Sequence, residues 1–252
     1  MNYFKNIIIS LLKKFKIRIV RESHDIIHSN LWSYFTADNK RLNLYYEGIK
    51  AANGEKTDNL LKKLRHFSLM QMVEHIRDKN ISGHFAECGV WKGHSAYLIA
   101  SIIQNEFNDS FHIFDSFEGG LSDKVDKDLV EGQSDNEIKE EKLIFLSHLQ
   151  DVKRTLNNFQ FIKYHPGWIP ETFHEVSEIN FSFVHIDVDL YQPTKDSLEF
   201  FYERLNNGGV IICDDYGLNQ FPGAKSAVDE FISNNKYSFF YEVPYGSCII
   251  IK

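Results

Sequence analysis

Little in this sequence suits an oxidising compartment, a membrane interior or a nucleic-acid surface. The 252 residues include only three cysteines, Cys88, Cys213 and Cys248. An odd count leaves no complete disulfide framework, and each cysteine sits in an apolar, strand-like run. No CxxC pair offers a zinc site, so buried thiols in a cytoplasmic protein are expected. No apolar run approaches the length of a membrane-spanning helix. Basic charge is not in excess either. The formal net charge is −7, which argues against nucleic acid as the main partner, because phosphate binding wants a basic face. What remains is a globular composition rich in Phe and Tyr, in a chain long enough to bury a full core.

Acidic residues are missing from one place, the stretch before Glu22. There Lys5, Lys13, Lys14, Lys16, Arg18 and Arg21 surround an apolar patch at 7–12. A signal peptide would want a longer apolar centre and a small-residue cleavage site, and neither is present. One expectation is a basic amphipathic helix over residues 1–21 resting on the inner face of a membrane. The simpler one is a surface helix packed on its own domain or on a sister subunit.

Residues 1–80 read as a mostly helical cap preceding a sheet domain at 81–252. The clearest helix runs from 59 to 78, where Leu60, Leu61, Leu64, Phe67, Leu69, Met70 and Val73 give a broad apolar face. Residues 38–58 read as a polar loop around Tyr45 and Tyr46. Such a cap is the obvious surface for a homo-oligomer. From His84 the rhythm alternates between strands and helices. Strands are expected at 85–88, 111–114, 159–163, 181–186, 210–213, 238–243 and 248–251, with helices at 95–104, 139–157, 195–206 and 225–234. Repeated strand–helix units imply an α/β fold with a mostly parallel sheet covered on both faces. The last two strands are only a few residues apart, too close for a helical crossover. They must form an antiparallel hairpin. The charged insert at 118–141 follows a strand directly, so it belongs at the ligand edge, as a lid or as a solvated loop.

The centre of the chain is 183–217, FVHIDVDLYQPTKDSLEFFYERLNNGGVIICDDYG. It reads as strand, helix, strand, with Pro193 suited to a first helical turn. A crossover of this length makes two parallel neighbours. Asp187 and Asp189 after the first strand, and Asp214 and Asp215 after the second, then share the carboxyl edge where open α/β sheets bind ligands. Solvated strand-end aspartates explain one such pair and explain two poorly. A hard divalent cation removes the repulsion, and oxygen ligands suit Mg²⁺ or Ca²⁺.

Other ligand-edge loops carry weaker signals. Glu87-Cys88-Gly89, with Gly93 further on, is an acid followed by a glycine turn between strand and helix. Such a turn lets backbone approach a ligand and offers a positive helix end. It matches neither the dinucleotide fingerprint nor a P-loop. Asp115, ending the next strand beside Ser116, is placed to accept from ribose hydroxyls. Trp168 is either an adenine cover or core packing. His185 shares a side of its strand with Asp187 by alternation, and reads as a buried core histidine or a base. His94 and His165 are weaker candidates for that role.

Taken in order, ECGVWKGHSA, FDSFEGG, GWIPETF, HIDVDLYQPT and LNNGGVIICDDYG resemble the macrocin O-methyltransferase family, over about residues 60–230. That resemblance implies a class I methyltransferase (Rossmann-like) fold with a seven-stranded sheet. It also implies S-adenosylmethionine, Mg²⁺, and transfer of a methyl group to a hydroxyl of a sugar, glycosylated small molecule or surface glycan. By position, Asp187, Asp214 and Asp215 would be metal ligands, and Glu87, Gly89 and Asp115 would contact the donor; Ser116, beside Asp115, is expected there too. Asp187 is also the expected proton acceptor, while the C-terminal tail departs from the family's aromatic-basic ending. Two rivals are a metal-dependent glycosyltransferase using Asp187-Val188-Asp189 as a DxD triplet, and a non-catalytic binding module. The glycosyltransferase leaves Asp214-Asp215 and the glycine turn without a task.

Overall fold

A computed structural model describes residues 39–104, 111–117 and 119–252. The basic stretch at 1–21 lies outside them, as does the whole of the expected 1–80 cap that precedes residue 39. Among the described residues no helix is long and apolar enough to cross a membrane.

Residues 39–252 form one compact unit. It opens with helices α1 (Asn39–Ala51) and α2 (Leu60–Asp78). The expected loop around Tyr45 is therefore a helix. Tyr45, Ile49 and Ala52 are buried at helical spacing, and the polar residues between them form its outer face, which disguised the period. α2 is started by Asn59, whose side chain accepts from Lys62 N at 2.9 Å. It is held down by Leu69, Met70, Val73 and Ile76.

The strands are β1 (His84–Cys88), β2 (Phe111–Asp115), β3 (Ile162–Pro166), β4 (Phe181–Ile186), β5 (Leu205–Asp214), β6 (Phe239–Val243) and β7 (Ser247–Ile251). They form one seven-stranded sheet in the order β3-β2-β1-β4-β5-β7-β6. β1 to β5 pair in parallel, while β7 is antiparallel to both β5 and β6. The helices between them are α3 (His94–Ile103), α4 (Asp135–Ile144), α5 (Leu149–Thr155), α6 (Tyr191–Arg204) and α7 (Pro222–Asn234). This is the α/β arrangement expected, with the C-terminal hairpin entering the sheet beside β5.

Three boundaries differ from expectation. The single helix expected at 139–157 is two: α4 starts early at a capping box of Ser134 and Glu137, and it stops at Ile144 before α5 begins at Leu149. β3 begins at Ile162, since Phe159 N closes the preceding turn on Leu156 O at 3.0 Å. β5 takes in Asn207-Gly208-Gly209 and follows α6 directly.

Alternation along the strands divides the core in two. Phe85, Ile113, Phe183, Val210 and Ile212 pack with α2, α3 and α5. Ala86, Cys88, Val184, Ile186, Ile211 and Cys213 pack with α6 and α7. By the same period Glu87, His185 and Asp214 face the α2 side. All three cysteines are buried free thiols.

Candidate active site

β1 is followed directly by Gly89, which has φ of +78°. A Cβ there would lie 2.0 Å from the Asp187 carbonyl oxygen, so only glycine fits this turn. Asp187 N in turn donates to Cys88 O at 2.8 Å. The glycine turn and the end of β4 are thus joined backbone to backbone. Beside them lies a cavity of about 330 Å³ whose lining includes Gly89, Asp115, Ser116, Trp168, Asp187 and Asp189. Four expected donor contacts, Gly89, Asp115, Ser116 and Trp168, therefore come together. Glu87 does not join them. It is fully buried, and its carboxylate accepts from His185 Nδ1 at 2.8 Å, because the strand period turns it toward α2.

Asp115 ends β2 with both carboxylate oxygens engaged. Oδ2 accepts from Val90 N at 2.8 Å and Trp91 N at 3.2 Å, and Oδ1 accepts from Phe117 N at 2.8 Å. It holds the glycine turn in shape, a task the sequence did not suggest. Its remaining acceptor capacity faces the cavity.

The acidic groups converge. Asp187 lies with Asp214 and His185 in one group of side-chain atoms within 4.8 Å of one another, and with Asp189 and Asp215 in a second. The expected trio Asp187, Asp214 and Asp215 is thus brought together through Asp187. Asp189 joins them as a further candidate ligand; its position in the triplet was the available signal. Asp215 and Asp189 both have left-handed backbones, φ +64° and +62°, which aim their carboxylates into the cluster.

Charge here is tightly balanced. Burial alone would push the Asp214 carboxyl up, but Arg65, His185 and Ser247 outweigh it and hold it down to about 2. Burial, then Asp187, pushes Asp215 well above the usual carboxylate range. Burial and Asp215 do the same to Asp189. His185 is lowered by burial yet raised further by its bonds to Asp214 and Glu87, so it is held protonated. It is the core histidine of the two readings, an imidazolium strapped between two buried acids. Its Nε2 is 3.6 Å from Asp214 Oδ2.

Arg65, from α2, was not anticipated. Its Nη1 lies 3.4 Å from Asp214 Oδ2 and 3.3 Å from Asp215 Oδ1. Asp215 Oδ2 is buried with no hydrogen-bond partner. An orphaned carboxylate oxygen inside an all-oxygen donor set fits a hard divalent cation. The other two histidines lie elsewhere: His94 Nε2 contacts Tyr45 O at 3.0 Å, and His165 Nδ1 contacts Glu175 at 2.7 Å.

The described part of the 118–141 insert supplies Gly120, Leu121, Ser122, Asp123 and Val125 to the cavity wall. Buried Asp128 anchors it, accepting from Tyr191 N at 2.7 Å and Val125 N at 3.0 Å.

A family model described as macrocin O-methyltransferase matches residues 55–239. The chain is 28% identical over 177 residues to demethyldecarbamoylnovobiocin O-methyltransferase of Streptomyces niveus, covering 68% of this chain and 65% of that one. It is 26% identical over 165 residues to 8-demethyl-8-(2,3-dimethoxy-alpha-L-rhamnosyl)-tetracenomycin-C 4'-O-methyltransferase of Streptomyces olivaceus, covering 63% and 62%. The matches span just under two thirds of these relatives' lengths. Among solved structures, the O-methyltransferase NovP superposes with a TM-score of 0.64 at 25% identity, over 75% of this chain and 80% of that one.

Proposed function

The chain belongs to the macrocin O-methyltransferase family, and from that premise we propose that it is an S-adenosylmethionine-dependent O-methyltransferase acting on a hydroxyl of a sugar or glycosylated acceptor, with a divalent cation, Mg²⁺, at the aspartate cluster. The observation that carries this reading is the meeting of Asp187 with Asp214 and with Asp215, beside a cavity lined by Gly89, Asp115 and Trp168. Both relatives named above are O-methyltransferases by their descriptions, and the description of the second names a rhamnosyl-bearing compound.

In this reading the donor lies against the glycine turn. The Gly89 backbone allows close approach, Asp115 and Ser116 receive the ribose, and Trp168 covers the adenine. Bound S-adenosylmethionine supplies a sulfonium methyl, which needs only a well-aimed nucleophile. A cation held by Asp187, Asp215 and either Asp214 or Asp189 would supply positive charge that makes an adjacent hydroxyl more acidic. Asp187 receives the hydroxyl proton. The remaining work is orientation: β4 and β5 fix the carboxylates, and the walls exclude water.

Incubation of the full chain with methyl-labelled donor and a cell extract tests the proposal. Label in a glycosylated product, at an ether oxygen, is the expected result. Binding of a UDP-sugar but not of S-adenosylhomocysteine would instead favour the glycosyltransferase.

A further inference from the structure

The carboxylate cluster already has a cation of its own. Arg65 enters from α2 and places one guanidinium nitrogen between Asp214 and Asp215, and its positive charge also acts on Asp187 and Asp189. Two details show that this pairing is incomplete. Contacts of 3.3 and 3.4 Å are longer than a committed charge-assisted bond of about 2.8 Å. Arg65 Nε and Asp215 Oδ2 are both buried without a partner, so neither the guanidinium nor the cluster is saturated by the other. A fork-shaped group able to grip a carboxylate with two bonds here divides one nitrogen between two acids.

We infer that Arg65 is the built-in counter-ion of this cluster and that a divalent cation binds in opposition to it, so that α2 sets the cation affinity of the site. The inference rests on the divalent-cation reading above. A cation that reaches Asp215 must approach Asp214 and Asp215 oxygens that Arg65 now neutralises, and like charges at such separations repel strongly in a buried site. Without a cation, Arg65 keeps the buried acids from standing unpaired, which is costly. With one, the guanidinium gives up part of its contact. A purely supporting arginine, one that merely aims the aspartates at the metal, makes the opposite prediction for affinity.

The test uses Mn²⁺ alone as probe and the full chain, without donor or acceptor. Its affinity is measured by the electron paramagnetic resonance of free Mn²⁺ for wild type, Arg65→Met, Arg65→Gln and Arg65→Lys. Removal of the charge is expected to tighten Mn²⁺ binding by roughly tenfold or more, with Arg65→Lys close to wild type. Wild-type chain that binds Mn²⁺, together with neutral variants that bind it equally or more weakly, overturns the inference alone. No binding by any form overturns both the inference and the divalent-cation reading. Should both neutral variants fail to fold, the Arg65 side-chain Nε resonance in wild type decides: a shift on adding Mg²⁺ supports the inference, and an unmoved signal overturns it.

Discussion

Gly89 and Asp187 face one another so closely that a methyl group on the glycine would sit 2.0 Å from the aspartate's carbonyl oxygen. The glycine turn and the end of β4 are therefore one mechanical unit. Gly89→Ala carries that clash as well as a strained positive φ. It is expected to destabilise the fold by about 2 kcal/mol or more, and to weaken S-adenosylhomocysteine binding in calorimetry by more than the equally small Ser116→Ala. Unchanged stability would mean that this turn is not built as described.

The His185–Glu87 pair is buried on both sides, at 2% and 0% side-chain exposure. Breaking a buried ion pair from one side costs roughly 3–5 kcal/mol. Urea denaturation of His185→Gln is expected to show a loss of that order, and Glu87→Gln in the same chain to restore part of it. Additive losses would show that the two side chains are not coupled.

Asp128 fastens the 119–146 segment to the start of α6 through Tyr191 N. Asp128→Ala leaves that amide and Val125 N without their acceptor. Limited proteolysis is expected to cut the segment faster, and donor affinity to fall, with little change at the distant sheet edge. A cleavage rate equal to wild type would contradict the anchoring role.

Burial pushes the imidazoles of His94 and His112 down to about 3, whereas an unfolded histidine titrates near pH 6.5 (about the model-peptide value). Between those limits the unfolded chain binds more protons than the folded one, so stability falls as the pH drops through that window. His112 also stands between His84 and His165, with ring nitrogens at 3.1 and 2.9 Å. Denaturation at neutral and mildly acid pH is expected to show a smaller acid-induced loss for His112→Asn than for wild type. Equal losses would place the acid sensitivity elsewhere.

Much of this was legible because the signals were local. Asp187-Val188-Asp189 and Asp214-Asp215, set one crossover apart, required only the rule that parallel neighbours share a carboxyl edge. The sheet and its final hairpin followed from strand spacing in the same way. What stayed hidden depended on partners distant in sequence. Arg65 is one basic residue among several on α2, and only the packing of Leu69 and Val73 turns it toward the cluster. Glu87 stands next to a glycine turn, so it read as a donor contact. Register places it opposite His185, whose ring nitrogen its buried carboxylate engages. Helix α1 was missed because its buried stripe is narrow and its other faces are polar.

The central claim is that Asp187 and the aspartates ending β5 hold one divalent cation next to the donor. Its most direct test is the number of Mn²⁺ ions retained per chain with S-adenosylhomocysteine bound, for wild type and for the Asp187→Asn, Asp215→Asn double variant. One ion is expected in the wild type and loss of that ion in the variant, with S-adenosylhomocysteine still bound. A wild-type chain that binds S-adenosylhomocysteine and retains no metal would contradict it.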